Sequence, residues 1–289
     1  TAGAHLDRGI LFASRGEYDL AIQEFTASIK LNPNYAPVYH NSGNAYLNKG
    51  DYDRAIADYN QAIRLDPNYA APYHNRGLAY LHKEDNDRAI ADYNQVIKLD
   101  PNNAGAYNNR GNAYSYKGDY DRAIADYTQA IKLDPNYALA YINRGDAYDK
   151  KLDSDRAIAD LNQAIKINPN SAFAYYSRGL VYISNGYDDQ AIADYTQAIT
   201  LDPNYDNAYY SRGFVYFLYK KDNDRAIADF NQAIKLVPNH ANAYNGRGVA
   251  YRDKGDYNRA RADWEKALQI DPNHQRARDN LEALRKMGY

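Results

Sequence analysis

The sequence predicts an all-α fold, a solenoid of tandem helix-turn-helix units, and three observations carry that prediction. Prolines recur at Pro33, Pro67, Pro101, Pro135, Pro169 and Pro203, 34 residues apart, then at Pro238 and Pro272 after steps of 35 and 34. A fixed period of this length marks stacked supersecondary units, none of which can bury its apolar face alone. Small residues keep the same beat, at Gly9, Gly43, Gly77, Gly111, Gly145, Gly179, Gly213 and Gly248, and at Ala21 and its seven equivalents. Aromatic residues fall between them at helical spacing, and 32 of the 289 residues are tyrosine.

Eight copies account for residues 2–35, 36–69, 70–103, 104–137, 138–171, 172–205, 206–240 and 241–274. In the second copy the first helix is expected over Ala36–Asn48, and Lys49-Gly50-Asp51 breaks it, glycine supplying a left-handed stop. The second helix is expected over Tyr52–Leu65, ending before Pro67. Asp66 reads as a cap for the next helix, with Pro67 at its first position. Pro37 and Pro72 sit in first turns, where proline is tolerated. The one inserted residue lies between Gly213 and Ala226, in the turn inside its copy. Residues 275–289 read as a polar amphipathic capping helix with Ala277, Leu281 and Leu284 on one stripe.

With Ala36 as position 1, positions 4, 7, 8 and 11 of the first helix share a face. Tyrosine dominates positions 4 and 11, and position 24 carries Phe25, Tyr59, Tyr93, Tyr127, Leu161, Tyr195, Phe230 and Trp264. Beside Gly at 8 and Ala at 20 and 27, these rings read as core, so most of the tyrosine excess is assigned to packing.

The pattern of aromatic-4, Gly-8, Tyr-11, Ala-20, aromatic-24, Ala-27 and Pro-32 resembles the tetratricopeptide repeat and covers residues 2–274. The resemblance implies antiparallel helix pairs in a right-handed superhelix, the first helices lining a concave groove that binds peptides or proteins rather than catalysing a reaction. Position 7 departs from the family's usual Leu, being Arg8, Arg76, Arg110, Arg144, Arg178, Arg212 and Arg247, with Ser42 the exception. An inward arginine needs a partner. Position 23 offers Glu24, Asp58, Asp92, Asp126, Asp160, Asp194, Asp229 and Asp263, so an Arg–carboxylate ladder is expected, completed by carbonyls of the inter-repeat turn.

The face opposite the core stripe carries positions 2, 5, 9, 12 and 13, with 6 at its edge. Copies 2 to 5 place His40, Asn44, His74, Asn75, Asn108, Asn109, Asn112, Tyr116, Asn143 and Asp146 there. Amides that both donate and accept suit an extended peptide backbone, against the plainer reading of a solvated face. Copies 6 to 8 place Phe173, Tyr176, Leu180, Ile183, Tyr210, Phe214, Phe217, Leu218 and Val249 there, an apolar patch suited to an amphipathic partner unless neighbouring helices bury it. The family's clamp for acidic chaperone tails needs cations at places that hold His40, Gly105 and Asn109, so that ligand is not expected.

Other classes are disfavoured. A net charge of −2 gives no clustered basic surface for nucleic acid. No 18-residue apolar run suggests a membrane span, and no signal peptide is recognisable. Thr1 in place of an initiator Met is read as a processed or trimmed start, and the compartment stays open. No Asn-x-Ser/Thr site for N-glycosylation occurs. With no cysteine, thiolate chemistry is excluded. His40 and His74 fall about 10 Å apart on adjacent helices, too far to share an ion, and Asp146 with Asp149 would hold a hard cation only weakly. No cofactor, metal site or catalytic constellation is expected. The leading expectation is a non-catalytic scaffold gripping a protein or peptide segment. The alternative is a structural subunit stacking head-to-tail into an oligomer or filament. The uniform Asp-Arg-Ala-Ile-Ala-Asp motif also suits a consensus-derived chain, against which the irregular groove and the inserted residue argue.

Overall fold

The computed structural model describes residues 1–289. Seventeen helices follow one another: α1 (Ala2–Ser14), α2 (Tyr18–Leu31), α3 (Ala36–Asn48), α4 (Tyr52–Leu65), α5 (Ala70–His82), α6 (Asn86–Leu99), α7 (Ala104–Tyr116), α8 (Tyr120–Leu133) and α9 (Ala138–Lys150) come first. Then come α10 (Ser154–Ile167), α11 (Ala172–Ser184), α12 (Asp188–Leu201), α13 (Asp206–Leu218), α14 (Asn223–Leu236), α15 (Ala241–Asp253), α16 (Tyr257–Ile270) and α17 (Gln275–Lys286). They group into two compact units, Thr1–Lys151 and Leu152–Tyr289. Odd-numbered helices are the first of a copy and even-numbered ones the second, with α9 the last helix of the first unit and α10 the first of the second.

Short turns fold each pair into a hairpin. Aspartate caps most second helices: Asp51, Asp85, Asp119 and Asp153 each accept the backbone N–H three residues on, at 3.1–3.2 Å. The residue before the cap turns left-handed, as at Gly50 with φ 76°. Glu84, Leu152 and Lys221 take that conformation without being glycine, at φ 59°, 61° and 53°. The inserted residue makes the α13–α14 turn one longer, Tyr219–Asp222 where Lys49–Asp51 suffices elsewhere.

The turn between pairs differs from expectation. Pro67 does not open a helix: α5 starts at Ala70 with Tyr69 as its N-cap residue. Asp66 instead closes α4 and its carboxylate accepts Asn68 N–H at 3.0 Å, a local Asx turn. Side-chain capping falls to the residue just before the first helix where its chemistry allows, as with Asn103, Ser171, His240 and His274.

One contact recurs in the core. The position-24 side chain is sealed in every pair, with Phe25, Tyr59, Tyr93, Tyr127, Leu161, Tyr195, Phe230 and Trp264 at 2% exposure or less. Where it is aromatic, its ring lies against the position-8 glycine of the first helix. A Cβ built on Gly43 would sit 2.6 Å from Tyr59 Cε1, and one on Gly179 2.6 Å from Tyr195 Cε1. The assignment of most tyrosines to the core needs correction. Tyrosines at positions 4 and 11 are mostly half-buried, Tyr80 and Tyr216 being the buried ones. Several carry a guanidinium instead: Arg54 lies 4.6 Å above the Tyr46 ring and Arg122 4.6 Å above Tyr114.

The last helix takes the place a ninth first helix would occupy. Ala277, Leu281 and Leu284 of α17 bury against Ala260, Trp264 and Ala267 of α16, and Asn280 Nδ2 donates to Asn245 Oδ1 at 3.0 Å. Its other face is exposed and charged, with Arg278, Glu282 and Arg285.

The ring-on-glycine fit gives a direct expectation. Gly179→Ala gains about 1 kcal/mol of helix propensity but overpacks a buried ring, for a net loss of about 1–2 kcal/mol. Gly3→Ala, on α1 with open space around it, should be neutral or slightly stabilising. Denaturant unfolding of the two variants checks both signs.

Candidate functional site

The wall of the candidate site is held by the arginines. Arg110 Nε and Nη2 donate to the two Asp126 oxygens at 2.7 and 2.6 Å, and Nη1 donates to Asn94 Oδ1 at 2.7 Å. Arg76 makes the same set with Asp92 and Asn60, Arg178 with Asp194 and Asn162, and Arg247 with Asp263 and Asn231. Arg212 pairs with Asp229, its third bond going to Thr196 Oγ1 at 2.9 Å. The carboxylate comes from the same pair, as expected. The third acceptor is a side chain at position 25 of the preceding pair, not a turn carbonyl. Each guanidinium thus ties a hairpin internally and registers it on its neighbour.

The second pair breaks this pattern. Ser42 takes the arginine's place, and Asp58 is left with a buried Oδ2 that accepts nothing from the protein. Burial pushes the Asp58 carboxyl up to about 6, and the Ser42 hydroxyl offsets this only in part. On α3, which carries Ser42, burial pushes His40 down to about 4.

The asparagine rows are bonded into the wall in the first unit. Asn44 Oδ1 accepts from Tyr59 OH and from Asn75 Nδ2, both at 2.8 Å, while Asn44 Nδ2 donates to His40 Nε2 at 3.1 Å. Two pairs later the motif returns: Asn112 Oδ1 accepts from Tyr127 OH at 2.8 Å and from Asn143 Nδ2 at 3.1 Å. Asn143 Nδ2 also reaches Asn108 Oδ1 at 3.0 Å, and Asn109 Nδ2 meets His74 Nε2 at 3.2 Å. His40 is buried and Asn108 is fully sealed at 0% exposure, so position 5 wedges between neighbouring first helices instead of facing a ligand. Burial and the Asp149 carboxylate raise the Asp146 carboxyl to about 6.

A cleft opens beside this wall. It holds about 550 Å³ and is lined by Leu78, Leu81 and His82 of α5, Glu84 of the turn, Asn86 of α6, and Asn109, Asn112 and Tyr116 of α7. Of the residues named from sequence, Asn109, Asn112 and Tyr116 meet there. Leu78, Leu81, Glu84 and Asn86 were missed. The signal for the last two was present: they replace the Gly and Tyr that Gly50 and Tyr52 show one copy earlier.

In the second unit the apolar residues divide. Tyr176 packs on Tyr195 and Tyr205 with ring centroids 5.7 and 4.9 Å away, and its hydroxyl lies 3.5 Å from Ser211 Oγ. Tyr210 packs on Phe230 and His240 at 5.9 and 5.0 Å, and Phe217 is half-buried against the same cluster. These three belong to the wall, which corrects their reading as displayed side chains. Phe173 and Leu180 of α11 and Phe214 and Leu218 of α13 remain exposed, at 36–44%. They occupy positions 2, 9 and 13, which lie within roughly 40° of one another on a helix.

Two expectations follow. Arg110→Ala strands the Asp126 carboxylate, whose side chain is 9% exposed, and should destabilise the chain by about 3–5 kcal/mol in denaturant unfolding. For Asp58 the folded-state value lies above the ordinary 3.8, so its contribution to stability is lost as pH rises from about 4 through about 6. Asp58→Asn should therefore match the parent near pH 4 and exceed it by about 1–2 kcal/mol at pH 7, a figure reduced for partial solvent access. Unfolding midpoints at the two pH values decide it.

Comparison with known proteins agrees with this architecture. Sequence models described as TPR repeat match residues 9–50, 43–83, 80–116, 153–186, 181–219 and 217–252. Models described as tetratricopeptide repeat match residues 104–137, 241–274 and 126–159. No curated protein matches the sequence. The Cut9–Hcn1 hetero-tetramer of the APC/C superposes with a TM-score of 0.70 at 20% identity, over 92% of this chain and 52% of that one. The chain thus spans about half the length of that relative. A tetratricopeptide repeat protein from Parabacteroides merdae gives 0.66 at 22% identity, over 86% and 98% of the two chains. MamA gives 0.51 at 31% identity, over 56% of this chain and 94% of its own. The first two likenesses concern the fold alone. With its helix pairs, its ring-on-glycine core and matches running from residue 9 to residue 274, this chain belongs to the tetratricopeptide repeat family.

Proposed function

We propose that the chain is a non-catalytic scaffold that binds a segment of a protein partner on the free faces of its first helices. The observation that carries this reading is the exposed apolar set Phe173, Leu180, Phe214 and Leu218. The packing of the unit accounts for Tyr176, Tyr210 and Phe217, but it leaves these four side chains in water. Aromatic and aliphatic anchors of this kind carry most of the energy of a protein interface. No helix is long and apolar enough to cross a membrane, so the patch is not part of a spanning segment.

The partner segment is apolar or amphipathic, with anchors spaced to reach two adjacent helices. Selection from a random peptide display library on the intact chain tests this. Peptides enriched on the parent should carry two or more bulky apolar residues and lose at least about tenfold in affinity on Leu180→Ser/Phe214→Ser, with the unfolding midpoint kept. Equal enrichment on parent and variant would remove the reading. Light scattering on the same two proteins separates self-association: a mass that rises with concentration for the parent alone would give the patch to a second copy.

A further inference from the structure

The α5–α7 cleft in the first unit differs in chemistry from the apolar face of the second. One copy earlier the same place is filled. There Tyr52 stacks on His82 of the next first helix, ring centroids 4.8 Å apart and planes 5° from parallel. One copy later, Asn86 stands in the place of Tyr52 and Tyr116 in the place of His82. No ring covers Tyr116, and it is 70% exposed.

The charge of the cleft is one-sided. Its lining holds a single formally charged residue, Glu84, at a position where Gly50 and Gly118 stand in the neighbouring copies. Placing a non-glycine residue at φ 59° there costs on the order of 1 kcal/mol, so the carboxylate is held against a backbone preference. The adjacent lysines do not neutralise it: Lys83 is paired with Asp53 and Lys117 with Asp87. The inner wall is aliphatic, from Leu78 and Leu81. Asn86 lines the cleft, and its Oδ1 is buried and receives no hydrogen bond from the protein.

An aliphatic wall, an uncovered tyrosine ring, a carboxylate and a spare amide oxygen match the parts of one side chain. The protein already binds that side chain in this way. Arg88 lies 4.5 Å above Tyr80, Arg225 lies 4.4 Å above Tyr216, and Arg76 is held between an aspartate and the Oδ1 of Asn60. We propose that the α5–α7 cleft takes an arginine side chain of the partner polypeptide, its stem on Leu78 and Leu81, its guanidinium stacked on Tyr116 and charge-paired with Glu84. This rests on the reading of the chain as a binder of polypeptide segments and adds a residue preference at one place. A neutral aromatic side chain would satisfy Tyr116 but leave Glu84 unmatched. A lysine ammonium would meet the charge but not the planar stack.

The probes are a blocked Gly-Arg-Gly tripeptide and its citrulline and lysine counterparts, titrated into the intact chain with backbone amide shifts recorded by NMR. The arginine peptide should move resonances of α5, the following turn and α7. Citrulline should bind about tenfold more weakly, because it keeps the shape and loses the charge. Glu84→Gln should cost about tenfold as well. Asn86→Tyr restores the residue that Tyr52 and Tyr120 supply in the flanking copies, so it folds while filling the cleft, and binding should vanish. Leu180→Ser/Phe214→Ser should bind the probe as the parent does. Equal binding of citrulline or lysine, shifts centred elsewhere, or an Asn86→Tyr variant that still binds would each overturn the inference. A chain that selects apolar peptides but ignores arginine loses this inference alone, while one that binds arginine but selects no apolar peptide loses only the reading of the second unit.

Discussion

An aromatic ring lying against a backbone that has no Cβ sets the geometry of the helix hairpins within each unit of this protein. With Tyr59 Cε1 within 2.6 Å of where a Gly43 Cβ would stand, the two helices meet at a separation that any other residue would forbid. Alanines sealed at 0% exposure, such as Ala55 and Ala62, flank the ring on its own helix. The fit is dense and apolar, and it repeats because each hairpin offers its neighbour the same surface. Trp264 fills the role in the last pair and Phe230 in the seventh, so the position requires volume more than tyrosine chemistry.

Close approach creates an electrostatic demand that the arginines meet. At position 7, where the family usually has leucine, a half-buried guanidinium here meets a buried aspartate in a bidentate pair. Such a pair adds little net stability over a hydrophobic equivalent, but losing one member is costly. Its benefit here is registry: Nη1 of Arg76 and Arg178 reaches an asparagine of the hairpin before, at 2.5 Å in both cases. A sliding neighbour would lose that bond. The second pair, with Ser42 opposite Asp58, lacks this lock and holds instead a carboxyl and an imidazole that burial drives in opposite directions, to about 6 and about 4.

Binding capacity is what remains after these demands are met. Polar side chains on the first helices looked available from their position on a helical wheel, yet Asn44, Asn75, Asn108 and Asn143 are bonded to each other, to Tyr59 or through Asn112 to Tyr127. Tyr176 and Tyr210 are likewise occupied by rings of their own unit. Two surfaces have no such use. One is the apolar set on α11 and α13. The other is the α5–α7 cleft, which exists because the third copy breaks the repeat at Glu84 and Asn86. In a protein of near-identical units, a departure from the pattern at an exposed place is where chemistry specific to one partner can enter.

The amino-acid order alone determined the pairing of helices, the limits of most of them and the sealed position-24 side chains of their core. Ala36–Asn48 and Tyr52–Leu65 were readable to the residue, because glycine, proline and aspartate act locally on φ, on N–H donors and on caps. The partnership of Arg110 with Asp126 was readable too, since both belong to one hairpin whose geometry the repeat imposes. The tertiary structure decided which side chains face water. A helical wheel gives direction and not distance, so Asn108, Phe173 and Tyr210 looked alike in sequence; Phe173 stays exposed at 44%, while Asn108 is sealed at 0% and Tyr210 packs on the Phe230 ring.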